Sequence, residues 1–248
     1  MSGHSKWSSI KRKKAVIDAK RGRIFTKLIK EITVATRLGG GDEEANPRLR
    51  QGILSAKEAN MPADNIKRAI LRGTGELPGI VYEEAVFEGY GPGGVAIYLE
   101  VMTDNRKRTV AEIRHLMTRF GGNLGESGCV SWMFEKKGLI TIEKNNVTED
   151  DLLETVINSG GDDFSEEEDV FEIEMPPENL HKVRSQLESD GFTVLTAEVV
   201  MIPQNTVNVE GDLVGSLLKL MNALEEHDDV HSVSANFNID DDVLEGVE

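Results

Sequence analysis

Arg106, Lys107 and Arg108 follow Thr103-Asp104-Asn105 at the point where a helix is predicted to begin. Three cations therefore crowd a first turn whose backbone already carries partial positive charge. Stability alone favours acids there. The arrangement suits a bound phosphate, which would meet helical N–H groups and guanidinium forks together; three solvated cations behind an Asp104 cap are the structural alternative. A second cationic set lies at the N-terminus. Lys6, Lys11, Arg12, Lys13, Lys14, Lys20, Arg21, Arg23, Lys27, Lys30 and Arg37 place eleven cations in 37 residues, against Asp18 and Glu31. Such density repels itself unless a polyanion screens it, and Trp7 adds an aromatic face on which a base could stack. Gly89-Tyr-Gly91-Pro-Gly93-Gly94 fits G-x-G-x-x-G, but an extended run, Val95 to Val101, follows where a dinucleotide site needs a helix N-terminus. A hairpin turn is the simpler reading. Bare backbone at Gly89, Gly91, Gly93 and Gly94 would also let RNA approach closely.

Other candidates carry less. His227 and His231 are four apart around Asp228 and Asp229, yet a helix end falls there and no third ligand is implied, so a solvated loop is expected and no metal site. Asp162-Asp163 and the acids at 166–169 lack the alternating ligands and central glycine of a calcium loop. No Ser/His/Asp order, phosphate-loop lysine or paired carboxylate can be argued. The expectation is a protein that is not an enzyme, with no cofactor and no small-molecule substrate.

The elements that would position these residues follow from periodicity. Residues 1–22 show no amphipathic period and read as a mobile arm. Arg23 to Leu38 turns Phe25, Leu28, Ile29, Ile32 and Ala35 to one side and Arg23, Lys27, Lys30 and Arg37 to the other, one face for a core and one for an anion. Asn46-Pro47 opens a second helix closing near Asn60, and a third runs from Pro62 to Arg72 with Gly73 as its stop. After residue 80 the period becomes two. Strands are predicted at 84–90, 95–103 and 130–134, with a helix at 105–120. Residues 138–202 then alternate strand and helix as a complete small α/β sandwich. A last helix (213–226) and strand (232–238) have no partner of their own and are expected to complete the earlier sheet, making 138–202 an insertion. The domains are thus 1–75, a basic helical head with its arm; 76–137 plus 203–248; and 138–202.

Charge follows the same division. The 248 residues sum to −16, yet 1–75 hold 17 Lys and Arg against 7 Asp and Glu, while everything from Gly138 onward holds 4 against 28. A basic head on an acidic body is expected when one part meets a polyanion and the rest stays clear of it. A single cysteine, Cys129, excludes an internal disulfide and a cysteine-based zinc site and points to a reducing compartment, the cytoplasm. No apolar run approaches the roughly 18 residues that span a bilayer, so no membrane partner is expected.

Gly3-His-Ser-Lys-Trp7, Asp18-Ala-Lys-Arg-Gly-Arg-Ile-Phe-Thr-Lys27, Asn60-Met-Pro-Ala-Asp-Asn-Ile66, Glu88-Gly-Tyr-Gly-Pro-Gly-Gly94, Thr103-Asp-Asn-Arg106, Arg108-Thr-Val-Ala-Glu-Ile-Arg-His115 and Gly121-Gly-Asn-Leu-Gly125 closely resemble the YebC/PmpR family, whose mitochondrial relatives include the translational activator of cytochrome c oxidase. The likeness covers essentially the whole chain. Lys107 stands where a small polar residue is expected in many relatives. The resemblance implies an α+β protein: an all-α three-helix head, then two ferredoxin-like α/β sandwiches, the second inserted in the first. It implies no enzyme activity and no cofactor. Two functions stay open. One is a ribosome-associated translation factor that contacts rRNA and tRNA and relieves stalls at proline runs, using the arm, Trp7 and the 89–94 turn. The other is a DNA-binding transcriptional regulator acting at promoter DNA, for which the third helix offers Lys67, Arg68, Arg72 and Asn65. The expectation leans to the ribosome; an adaptor working through the acidic body is a third class.

Overall fold

Apolar residues three and four apart build the N-terminal part as helices. The computed structural model describes residues 19–144, 148–166 and 170–240. In it α1 (Ala19–Gly39), α2 (Pro47–Glu58) and α3 (Ala63–Thr74) close over Ile32, Ala35, Leu49, Ile53, Ile66 and Ala69. Helix α1 starts at Ala19, earlier than the apolar period predicts, so 19–22 are helical; the remainder of the expected arm, 1–18, lies outside the described residues. Asn46 caps α2, its side chain accepting from the Leu49 N–H, with Pro47 in the first turn. Gly73 does not stop α3, which runs on to Thr74 with Gly75 (φ 83°) as its cap. A Cβ at Gly73 would lie 2.5 Å from the Thr36 Cβ and 2.7 Å from the Thr33 carbonyl oxygen. Gly73 is where α1 and α3 touch, a contact that no larger residue fits.

The chain continues as a hairpin of β1 (Glu83–Tyr90) and β2 (Ala96–Thr103), then α4 (Arg106–Arg119) and the short β3 (Asn123–Leu124). The strand predicted at 130–134 is absent. Ser131–Met133 form a 3-10 turn, because the Val130 and Ser131 N–H groups donate to the Glu88 carboxylate instead of to a neighbouring strand. Phe134 opens β4 (Phe134–Glu143), the first element of a second unit, followed by α5 (Glu149–Ser159), β5 (Asp163–Glu166), β6 (Val170–Met175), α6 (Leu180–Ser189) and β7 (Val194–Pro203). Its strands pair antiparallel in the order β5-β6-β4-β7, and α5 and α6 bury Leu152, Val156, Val183 and Leu187 against Ile140 and Ile173.

The chain then returns to the first unit with β8 (Val207–Asn208), α7 (Asp212–Glu225), β9 (Val230–Ala235) and β10 (Phe237–Asn238). β9 pairs antiparallel with β2, giving a sheet β3-β1-β2-β9. The single strand predicted at 232–238 breaks at Asn236, whose side-chain oxygen accepts from the Ala96 N–H at 2.7 Å; beyond it Phe237 pairs with Val207. Helices α4 and α7 supply Ile113, Met117, Leu217 and Met221 to the core of this sheet, beside Phe87 and Leu99. The described chain is therefore α+β, helical at its start and with antiparallel four-stranded sheets after it. It packs as two compact units, 19–131 with 206–240, and 132–205, so that the three helices share a unit with the first sheet.

Candidate nucleic-acid interface

The cationic side of α1 meets acids and backbone carbonyls of its own chain. Arg23 pairs with Glu226 at 3.0 Å, the Lys27 ammonium donates to the Glu225 carbonyl at 2.7 Å, and Arg37 donates to the Tyr82 carbonyl. Lys30, only 7% exposed, donates to Asp229 Oδ1 at 2.6 Å and to the Asp228 carbonyl at 2.9 Å. The expected anion-facing side of the helix is thus a docking face for the end of α7 and the start of β9. Helical periodicity separates the two sides of α1 but does not say whose anion meets the charged one. Lys20 and Arg21 lie at the start of α1. Lys6, Trp7, Lys11, Arg12, Lys13 and Lys14 lie outside the described residues.

Asp229, 5% exposed, is the centre of that docking face and corrects the expectation of a solvated loop. Its Oδ2 accepts from Arg108 at 2.7 Å, Thr109 at 2.8 Å and Thr103 at 3.1 Å. Burial alone pushes this carboxyl up; the Lys30 ammonium, the Arg108 guanidinium and the Thr109 hydroxyl outweigh it and hold the group well below the usual carboxylate range. Both oxygens are committed. His227 is committed too, its Nδ1 accepting from the Asp229 N–H and its Nε2 lying 3.0 Å from Glu112. Glu112, His227 and Asp229 converge within 4.8 Å, with both Asp229 oxygens and both His227 nitrogens engaged in protein hydrogen bonds. A further bridge ties α2 to α1 and β1: Arg48 grips Glu31 at 2.7 and 3.0 Å and Glu84 at 2.6 Å. These carboxylates drive the Arg48 pKa up despite its burial.

The cluster at the start of α4 divides. Asn105, not Asp104, caps the helix, accepting from the Arg108 N–H; the Asp104 side chain instead pairs with the Arg108 guanidinium at 2.8 Å. Arg108 is consequently held by Asp104 and Asp229, which raise its pKa, and is not a free phosphate ligand. Arg106 rests over the Phe87 ring at 6.0 Å. Lys107 is exposed and makes no ion pair among the described residues.

The glycine turn also divides. Gly93 (φ 75°) and Gly94 (φ 77°) are exposed in a left-handed turn. Gly89 and Gly91 are buried: a Cβ at Gly89 would sit 2.3 Å from the Asn123 carbonyl oxygen, and one at Gly91 would sit 2.9 Å from Ile97 Cδ1. Close packing against backbone requires Gly89, whereas at Gly91 only the tip of the Ile97 side chain would have to yield; burial keeps both from the surface. Sequence reasoning missed Glu88, 4% exposed, whose carboxylate accepts from the N–H groups of Gly128, Val130 and Ser131 at 2.7 to 2.8 Å. Burial raises this carboxyl, and the three backbone donors lower it further than burial raises it. The third helix, offered by the sequence as the surface for DNA, is exposed on its cationic side. Lys67, Arg68 and Arg72 project outward from a helix whose other side buries Ile66 and Ala69, and none of the three forms an ion pair among the described residues.

Comparison with known proteins covers nearly the whole chain. Residues 5–76 match the TACO1/YebC protein N-terminal domain, and residues 82–237 match the TACO1/YebC second and third domain. A probable transcriptional regulatory protein of Desulfotalea psychrophila is 57% identical over 246 residues, 99% of this chain and 98% of its own. One of Pelotomaculum thermopropionicum is 58% identical, covering 97% of this chain and all of its own. The crystal structure of a conserved hypothetical protein from Aquifex aeolicus superimposes with a TM-score of 0.85 at 50% identity, over 93% of this chain and 96% of that one.

Proposed function

The chain belongs to the TACO1/YebC family, and from that premise we propose that it is a nucleic-acid-binding regulator of gene expression that works without catalysis. The observation that carries this reading is the outer side of α3. Its three cations are exposed and form no ion pair among the described residues, whereas Arg23 and Lys30 of α1 are matched by the chain's own acids. The names of the relatives favour DNA as the target. α3 then lies on the duplex through Lys67, Arg68 and Arg72, with Asn65, half-buried at its first turn, as its one amide side chain for reading an adenine edge. Lys6, Lys11, Arg12, Lys13 and Lys14 extend the contact along the phosphates.

One observation favours the second reading, a ribosome-bound factor touching rRNA or tRNA. α3 offers cations that serve phosphates as readily as bases and a single amide reader, Asn65, which suits a surface recognised by shape. Under either reading the place of work is the cytoplasm; no described helix is long and apolar enough to cross a membrane. We also read each α/β part as ferredoxin-like, with 138–202 inserted between the halves of the other.

Binding of the full chain to a genomic DNA pool and to ribosomes in one salt buffer tests the proposal. Selective enrichment of DNA sites by a factor of about 10³ or more over random sequence supports the regulator of transcription. Ribosome association without such selectivity supports the second reading, and retention of neither overturns both.

A further inference from the structure

Outside the three N-terminal helices, the first unit is strongly acidic. Residues 76–131 and 206–240 hold six cations, and five of them (Arg106, Lys107, Arg108, Arg114 and Arg119) sit on the fourteen residues of α4, with Lys219 the sixth. The same stretches hold fifteen acids. Charge that merely confers solubility is interspersed, whereas here it is gathered on one helix.

The helix sorts these cations by side. Val110, Ile113 and Met117 turn to the core, Arg108 turns to Asp104 and Asp229, and Arg106 lies on Phe87. Lys107, Ala111, Arg114 and Thr118 fall within about 60° of one another on the solvent side at 100° per residue, and all four are exposed. His115 and Arg119 lie about 80° and 120° round from Lys107, to one side of that stripe, also exposed, with Arg119 over Phe120 at 5.3 Å. The single acid of α4, Glu112, is occupied by His227. Lys107 and Arg114 are about 10 Å apart along the axis, and the small side chains between and beyond them leave the ridge low.

The C-terminal end of this helix runs into bare backbone. Gly121 (φ 83°) and Gly122 follow it, and a Cβ at Gly122 would lie 2.6 Å from the Tyr90 carbonyl oxygen and 3.1 Å from the Gly91 Cα, so the end of α4 abuts the 91–94 turn. Gly94 is exposed with open space around it, Gly93 is exposed beside it, and Gly121 lies against Pro92.

We propose that the solvent side of α4, from Lys107 through Arg114 to Arg119, and the glycine ledge at its end form one track for the phosphodiester backbone of a nucleic-acid duplex. This rests on the nucleic-acid reading above and assigns it a second surface, separate from α3. Cations that form no ion pair among the described residues supply the attraction. Ala111, Thr118 and the glycines let the backbone come close. The partner is a duplex because no exposed Phe, Tyr or Trp lies along the track among the described residues to stack an unpaired base, Phe120 being half-buried beneath Arg119.

The test uses the full chain with fluorescent 20-base-pair duplexes, one DNA and one RNA of the same sequence, and reads the slope of log K against log[salt]. Each lost phosphate contact removes about 0.9 from that slope. K107Q/R114Q/R119Q is expected to flatten it by roughly 2 to 3 units on at least one duplex with an unchanged melting temperature, and K107R/R114K/R119K is expected to restore it. The duplex on which the slope falls identifies the form bound. Gly94→Asn, which tolerates the left-handed turn, is expected to weaken binding several-fold at unchanged slope; unaltered binding removes the glycines from the track. An unchanged slope in the triple Gln variant while the parent binds overturns the α4 track alone. No binding of the parent to either duplex overturns the nucleic-acid reading itself.

Discussion

Helices α1 and α4 both carry clustered cations beside an apolar core face, and they use them in opposite ways. On α1, Arg23, Lys27 and Lys30 reach the acids and carbonyls at 225–229, and Lys30 is nearly sealed from water. On α4, only Arg108 joins that network, while Lys107, Arg114 and Arg119 stay in solvent. The difference teaches that cation density identifies a need for anions without saying where they come from. The partner atoms decide, and they are residues nearly 200 positions away in the chain.

The contrast can be broken most forcefully at Asp229. Asp229→Asn leaves a buried lysine without its charge partner, and a loss of about 3–5 kcal/mol of stability is expected by denaturant unfolding. A loss below 1 kcal/mol would mean that the head is not held through this carboxylate. Glu88→Gln comes next. It puts an amide N–H₂ where three backbone donors already point, so a loss of about 1–3 kcal/mol is expected, with faster amide exchange at residues 128–131.

Acid probes both groups without mutation. Asp229 and Glu88 titrate lower folded than unfolded, so their contribution is complete above the unfolded carboxylate value near pH 4 and declines as pH falls towards their folded values. Stability measured from pH 7 to pH 3 is therefore expected to fall at the acid end, and less steeply in Asp229→Asn. Glu226→Gln removes an exposed partner of Arg23, and a change of at most about 1 kcal/mol is expected. Lys107→Gln touches no ion pair, and its effect on stability is expected within about 0.5 kcal/mol. Equal losses at Lys107 and Asp229 would erase the distinction between the helices.

The helices and strands of the two units were largely legible, because amphipathic periods of 3.6 and 2 register core contact directly. The α2 cap was legible too, since Asn46-Pro47 is a local signal. What escaped depended on distant residues. Gly73 looked like a stop because a helix-ending glycine and a helix-crossing glycine have the same local sequence; only Thr36 distinguishes them. The strand at 130–134 was lost to Glu88, an inward-facing acid that draws the backbone donors of that segment. Asp229 lay in an apparent loop between two histidines, and the one sequence clue was Lys30, which sits between Ile29 and Ile32 and needs a buried counter-charge. The turn at 89–94 was read as one feature, although two of its glycines are buried and two face outward.

The Lys30–Asp229 pair also sets a clock. The head emerges from the ribosome first, but the carboxylate that neutralises its lysine lies 199 residues later. At about 5–20 residues per second that partner arrives roughly 10–40 s after Lys30 has been made. For that interval the new head can assemble its apolar core yet has no seat for its charged side, so docking to the sheet waits for the final strand-forming segment. A chain whose synthesis stops short of residue 229 therefore leaves that cationic face uncovered, and such a product would carry an extra polyanion-binding surface that the finished protein keeps closed.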